Sequence, residues 1–418
     1  MELFDKSKIE KEIPELTNGI LTILHDAAVS VNINSIAIVG GVVRDLITKS
    51  KNQGYEIIFN DLDLIIEGET STYIKELQKV LGPEKVKVIR NNTSYKTSEI
   101  LINDIKVDIA TAREETYPIP GENPIVKLST IHNDLIRRDF NINAIAIELK
   151  DNSLIDLFSG LDAIYNKKMD FLHESSVLED PTRIIRASRY SAKLDFCLSN
   201  QALRQVKDII NSWPWNWHIG DDTDLAPSAL SIRLKMELEL LLKSKYWKNA
   251  IKNLQNWGGL KLLDLKLQND HRLIDKIFIA KNSHIEPLTA LVYESKDPIF
   301  LAKRLHLAQQ QKEIIDGALK LNKYLENISA NNSYKSWSPS KWTKILEKIK
   351  VDESSYILEI CRDNPLKEYL KSWLFNWKNI ESPIKGDDLI ANGWAPGPEI
   401  GIEINRQRMK LIDEKSIL

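Results

Sequence analysis

The sequence predicts an α+β domain of about 150 residues followed by an all-α remainder. Three observations carry this. Short β-branched runs crowd the first 150 residues, with turn signals and helical stretches between them. From about residue 178 onward, apolar residues recur at three- and four-residue spacing. Composition shifts at the same place, since all ten tryptophans lie at or beyond Trp213.

The strand runs are SIAIV (35–39), DLDLIIEG (61–68), VKVI (86–89), TSEILI (97–102), IKVDIAT (105–111) and NAIAIEL (143–149). Asn103-Asp104 separates two of them, as a hairpin turn does. Hairpins argue for α+β over a doubly wound sheet. Helices are predicted near 8–30, after Gly41 and near 70–81. In the second half RIIRASRYSAKL, LSIRLKMELELLLKS, NAIKNLQNW and KDPIFLAKRLHLAQQQKEIIDGALKLNKYL read as helices. The stretch 211–227, with two prolines and an acidic cluster, reads as a loop or linker, and packing is the expected fate of its tryptophans.

A chain of 418 residues has room for two to four domains. Its 43% hydrophobic and 28% charged composition excludes wholesale disorder and a collagen-like fibre. No apolar run is long enough to span a membrane, and the N-terminus lacks the apolar core of a secretory signal. Two cysteines, Cys197 and Cys361, make no disulfide framework, so a reducing cytoplasm is expected. The 57 basic side chains nearly balance the 59 acidic ones, which argues against a protein basic all over but leaves local patches open.

SIAIVGGVVRDLI reads as strand, Gly40-Gly41 turn and helix. Such glycines let a backbone approach a ligand, the amides opening the helix suit a phosphate, and Arg44 lies one turn in. A plain glycine turn with a surface Arg-Asp pair explains the same residues. In Asp61-Leu62-Asp63 both carboxylates point to one face of a strand, while Leu62, Leu64 and Ile66 point to the core. Paired like charges call for a cation between them, and hard oxygens suit Mg²⁺. Asp108 in IKVDIATA completes such a site if its strand lies beside the pair, and is otherwise an ordinary exposed position.

Arg137-Arg138-Asp139 precedes an apolar segment, with Asp139 placed to cap or orient the arginines. Asp180-Pro181 reads as an N-cap with proline at the first helical position. Arg183, Arg186, Arg189 and Lys193 then fall on one helical face, opposite Ile184, Ala187, Ser191 and Leu194. The charges share one sign and have no alternating partners nearby in sequence. That favours anion binding over a solvated face.

Taken in order, GGVVRD (40–45), DLD (61–63), RRDFNINAIA (137–146), DLFSGLDAI (156–164) and EDPTRIIRASRYSAKLDF (179–196) resemble the class II nucleotidyltransferases, the bacterial CCA-adding tRNA nucleotidyltransferases and poly(A) polymerases. The helix LSIRLKMELELLL and the tail IKGDDLIANGWAPGPEIGIEI resemble the family's as well. The resemblance implies a polymerase-type palm head over 1–150, then an all-helical neck (151–215), body (216–325) and tail (326–418). It implies that Asp61 and Asp63 hold two Mg²⁺ ions; Asp108 is expected as a third catalytic carboxylate on the strand reading given above. Gly40, Gly41 and Arg44 would handle the triphosphate, and Arg138 would link motif to nucleotide. Asp180 and Arg183 would read the base edge, with Arg186 and Arg189 beside them. The implied partners are the tRNA 3′ acceptor end, ATP and CTP, with no DNA and no membrane. A non-catalytic RNA-binding protein on the same scaffold would have lost one of the paired aspartates, and both are present.

Three features depart from the family pattern. An insertion around KSKNQGYEIIFN lengthens the interval before DLD, Asn141 replaces a common threonine, and Phe158-Ser159 stands where a glycine-rich pair is frequent. Residues 113–136 fall in the place of the family's flexible loop, and their number favours competence for A addition.

Overall fold

The structure, a computed structural model, describes residues 4–93, 95–330, 333–362 and 364–416. These form two compact units. One comprises the residues up to 221 with 225–262, and the other comprises 222–224 with those from 263 onward.

The first unit opens with α1 (Lys6–Glu12) and α2 (Ile20–Ser30). One helix was expected here, but Asn18 and Gly19 take positive φ and break it. There follow β1 (Ile36–Val39), α3 (Gly41–Lys51), β2 (Leu62–Ile66), α4 (Thr70–Leu81), β3 (Val86–Asn92), β4 (Thr97–Ile102) and β5 (Ile105–Thr111). Asn103 and Asp104 both adopt positive φ between paired Ile102 and Ile105, so the predicted two-residue hairpin is present. The flexible-loop segment 113–136 is instead built from a second hairpin, β6 (Arg113–Thr116) and β7 (Ile125–Leu128), and a short helix, α5 (Ile131–Ile136). Strands β8 (Ile145–Glu148) and β9 (Leu154–Asp156) complete a sheet of order β3-β4-β5-β2-β1-β8-β9. The sheet therefore runs past residue 150, where the head was expected to end.

Among the described residues, only β2 and β5 pair in parallel within this sheet. The alternation of β2 decides its orientation. Leu62, Leu64 and Ile66 are buried, each stabilising the fold by roughly 1.5–3 kcal/mol. Asp63 and Ile65 take the other face, where Ile65 joins Ala37, Val39, Ile131 and Leu135 in one core cluster.

Beyond the sheet come α6 (Gly160–Tyr165), β10 (Lys168–Met169), α7 (Ser176–Glu179), α8 (Thr182–Leu194), β11 (Cys197–Leu198), α9 (Asn200–Ser212), α10 (Ile232–Lys243) and α11 (Trp247–Trp257). Asp156 caps α6, accepting from the Gly160 and Leu161 amides at 2.7 and 2.9 Å. The stretch read as a loop or linker is a packed loop. Trp215 and Trp217 are buried, and Trp215 Nε1 donates to the Leu178 carbonyl at 3.0 Å.

The second unit is helical: α12 (Leu265–Asn269), α13 (Leu273–Asn282), α14 (Pro287–Tyr293), α15 (Pro298–Arg304), α16 (Gln309–Ala330), α17 (Pro339–Leu346), α18 (Glu353–Cys361), α19 (Lys367–Phe375), α20 (Gly386–Ala391) and α21 (Pro398–Lys415). Proline opens α14, α15 and α17, where the missing N–H costs nothing. The run read as helical over 296–325 is split by His306, at φ 49°. Leu321, Leu325, Trp342, Tyr356, Leu370 and Trp373 form the core. Among the described residues, no helix is long and apolar enough to cross a membrane. Both cysteines are free.

Candidate active site

The turn between β1 and α3 is built around Gly40, at φ 74° and ψ −133°. A Cβ there would lie 2.6 Å from Asp63 Oδ2, so only glycine lets the carboxylate approach the turn. Among the described residues no side chain caps α3, which leaves its opening amides at Gly41 and Val42 facing a cleft. Arg44 is 3% exposed, donates to Asn143 Oδ1 at 2.9 Å and pairs with Asp45, and its guanidinium lies 5.9 Å from the Tyr190 ring centroid.

Asp63 pairs with Asp108 across β2 and β5, and Asp108 pairs in turn with Glu99 on β4. Paired residues share a sheet face, so Asp61, Asp63, Asp108 and Glu99 are gathered on one surface. Burial pushes the Asp63 carboxyl up to about 6, and Asp61 beside it adds to the rise. Burial likewise raises Asp108. This strain is relieved by a cation, and an oxygen-only donor set fits Mg²⁺. Among the described residues, no group of three or more His, Cys, Asp or Glu side chains is set to hold a metal ion on its own. The condition set for Asp108 is met, since its strand lies beside that of the pair and Asp108 stands next to Asp63 in register. Lys106 lies 3.3 Å from Glu99, 3.6 Å from Asp108 and 4.0 Å from Asp61.

The arginine face differs from the expectation. Every position of α8 up to Ser191 is buried or half-buried, so no face of it is bare. Partners absent from the local sequence arrive from elsewhere in the fold. Arg183, 4% exposed, donates to the Ser176 and Arg137 carbonyls at 3.3 and 3.1 Å. Arg186 grips Asp139 at 2.9 and 2.6 Å and reaches Glu237 at 3.1 Å. Arg189 takes the other Glu237 oxygen at 3.1 Å. Only Lys193 of the four is exposed. The helix opens at Thr182, one residue later than expected, with Pro181 in the cap position. Asp180 Oδ1 accepts from the Thr182 amide at 3.0 Å, and its Oδ2 pairs with Arg233 at 3.3 Å.

The carboxylate that orients Arg137 and Arg138 is fully buried Asp134, at 2.7 and 3.3 Å, while Asp139 faces α8. Arg138 Nε is buried with no hydrogen-bond partner, a donor left for a ligand.

One cleft of about 680 Å³ collects Gly40, Gly41, Arg44, Asp61, Asp63, Arg138, Asp180, Arg183 and Arg186. Asp108 lies outside it, in an adjoining cavity of about 370 Å³ that shares Asp63 and Arg138 with the first. Arg189 does not line it, standing behind Glu237. Acidic and basic side chains line the cleft in nearly equal number, so it is no bare cationic trough. Ile57, Ile58 and Phe59 of the inserted segment line it too. Sequence reasoning missed Asn143, Arg233 and Glu237. Arg233 and Glu237 stand at i and i+4 on α10, a spacing that places them side by side, but nothing local says what they face.

Residues 36–170 match the family described as Poly A polymerase head domain. An A-adding tRNA nucleotidyltransferase of Aquifex aeolicus is 27% identical over 400 residues, covering 90% of this chain and 45% of that protein. A CC-adding tRNA nucleotidyltransferase of Deinococcus radiodurans is 29% identical over 293 residues, 68% of this chain and 70% of that one. The chain thus spans under half the length of the Aquifex relative. A CCA-adding enzyme in an apo form shares the fold at a TM-score of 0.73 and 24% identity, covering 98% of this chain and 95% of its own. A Thermotoga maritima CCA-adding enzyme complexed with tRNA shares it at 0.68 and 23%, covering 98% and 95%. The glycine turn and the aspartate pair thus lie in a segment that matches the Poly A polymerase head domain, within a chain similar over most of its length to A-adding and CC-adding tRNA nucleotidyltransferases.

Proposed function

We propose that this chain adds C, A or both to the 3′ end of tRNA, transferring the nucleotidyl group from CTP or ATP with release of pyrophosphate. The observation that carries the reading is the convergence, in one cleft of about 680 Å³, of an uncapped helix start, an aspartate pair and a carboxylate–arginine pair. That volume suits a nucleotide.

Asp61 and Asp63 are the residues that would hold Mg²⁺, which supplies charge neutralisation to the triphosphate and acidifies the attacking hydroxyl. The Gly41 and Val42 amides and the Arg44 guanidinium supply donors for phosphate oxygens, with Asn143 and Asp45 holding Arg44 in place. Arg138 offers its unpartnered Nε beside Asp63. Asp180 Oδ2 retains an acceptor site beyond its contact with Arg233, and Arg183 has N–H groups beyond the two donated to carbonyls. A carboxylate accepting from an exocyclic amine and an arginine donating to ring acceptors select CTP and ATP over UTP and GTP.

The test is incorporation with Mg²⁺ on tRNA transcripts ending before CCA, after C and after CC, with CTP and ATP supplied separately. Growth by C and then A supports CCA addition. Growth by A only on the CC-ended transcript narrows the activity to A addition, and growth by C alone narrows it to CC addition. No growth on any transcript refutes the reading. Asp63→Asn is expected to abolish incorporation while tRNA still binds.

A further inference from the structure

The sheet face around the aspartate pair is a small lattice. Its rows follow from backbone register. Asp63, Asp108 and Glu99 lie side by side on β2, β5 and β4. Lys106 lies two residues from Asp108 on the same strand, hence on the same face, and pairs with Leu101 on β4. One step before the Leu62–Val107 pair, Asp61 stands beside it. Lys106 Nζ accordingly reaches Glu99, Asp108 and Asp61 at 3.3, 3.6 and 4.0 Å. Its place is set by the sheet, since any rotamer of a residue at 106 projects from this face.

We propose that Lys106 is a built-in counter-ion that neutralises Asp108 and Glu99, and so confines the divalent-ion site to Asp61 and Asp63. This rests on the reading that those two aspartates hold the ion. Lys106 offsets one of the two carboxylates on the Asp108 side, and Arg90 on β3 is paired in register with Glu99 at its far edge. Arg138 serves the opposite flank, near Asp63. Without Lys106 the four carboxylates would be left with the guanidiniums at the edges of the lattice, Arg90 beside Glu99 and Arg138 near Asp63. A divalent cation would then be drawn toward Asp108 and away from the pair. The lysine thereby keeps the ion where the cleft amides and Arg44 can reach the same phosphate.

The test is direct Mn²⁺ binding to the full chain without nucleotide, followed by the electron paramagnetic resonance signal of free Mn²⁺. Wild type is expected to bind in one class of site that Asp63→Asn removes. Lys106→Met is expected to tighten binding about tenfold or to add a second ion, because one unit charge at about 4 Å is withdrawn from a half-exposed cluster. Lys106→Arg keeps the charge and should bind as wild type does. Coincident isotherms for wild type and Lys106→Met, with Asp63→Asn still losing the ion, overturn the role of Lys106. Equal binding by wild type and Asp63→Asn overturns the aspartate-pair reading and the inference with it. A circular dichroism melt shows that each variant is folded.

Discussion

Asp139→Asn gives the sharpest test of how the arginine helix is held. Asp139 is 8% exposed. Its Oδ2 accepts from Arg186 Nε and Nη2 at 2.9 and 2.6 Å, and its Oδ1 accepts from the Phe140 amide and Asn143 Nδ2 at 2.9 and 3.3 Å. All four neighbours are donors. An asparagine fits the space but has one donor end, which meets N–H groups in either orientation. Breaking a buried ion pair by removing one partner costs about 3–5 kcal/mol. Arg186 keeps Glu237 and is a third exposed, so the lower figure applies, about 3 kcal/mol. In a unit of this size that is a fall in melting temperature of roughly 6–12 °C. Differential scanning calorimetry should show it in the transition of the first unit, with Lys193→Ala, exposed on the same helix, as the neutral control. A shift below about 2 °C would refute the claim that this pair fastens α8 to the sheet domain. pH gives an independent sign. Burial alone would raise the Asp139 carboxyl, yet Arg186 and the hydrogen bonds hold it below the usual value. Its stabilisation is therefore complete above the ordinary carboxylate range and is lost as pH falls through the lower folded value. Asp139→Asn should erase that acid-side loss.

Gly40→Ala places a methyl 2.6 Å from Asp63 Oδ2 in a backbone region that costs roughly 1–3 kcal/mol for a non-glycine residue. Melting should fall by a few degrees while incorporation falls about a hundredfold, because a displacement of about an ångström at the reacting centre has that effect. Full activity would sever Gly40 from the aspartate. Glu359 in the second unit is fully buried, and burial pushes its carboxyl up to about 7 despite Arg362. A raised acid favours the protonated folded state, so the second unit should lose up to about 3 kcal/mol as pH rises from 4.5 to 7. Urea midpoints should fall across that range and become flat in Glu359→Gln; an unchanged slope would count against the assignment. Trp215→Ala removes a buried indole and its bond to the Leu178 carbonyl, a loss of roughly 3–5 kcal/mol. A change under 1 kcal/mol would return 211–227 to the status of a linker.

Local signals were legible where the chain's own chemistry settles the structure. The β4–β5 turn needs two residues at positive φ, and Asn103-Asp104 supplies both. The alternation in Asp61–Ile66 sorted carboxylates from core without any knowledge of neighbouring strands. Partnership was illegible wherever it comes from distant elements. Arg186 and Asp139 are 47 residues apart, and Arg186 and Glu237 are 51 apart. No periodicity on α8 could reveal them, so the helix read as a row of free charges. The β6–β7 hairpin was missed for a related reason. Ile125 and Leu128, which point to opposite faces of β7, are both exposed, so the alternation that marks a half-buried strand is weak there.

The near-neutral charge total acquires a structural meaning from these pairings. A row of unpaired arginines would attract any polyanion, and its affinity would collapse steeply with salt. Here Arg44, Arg137, Arg186 and Arg189 each hold a carboxylate. A phosphate entering the cleft meets donors already aimed and partly neutralised, so charge alone gives it little. What remains to favour one ligand over another is geometry: the amides after Gly40, the unpartnered Nε of Arg138, and the fixed separation of Asp180 from the aspartate pair. Those groups are placed by buried neighbours, and a helix end or guanidinium held in advance loses less entropy on binding. The acids beside the arginines thus exchange raw attraction for orientation. That exchange suits the proposed reading, in which the site admits one nucleotide at a time without a template strand to check it.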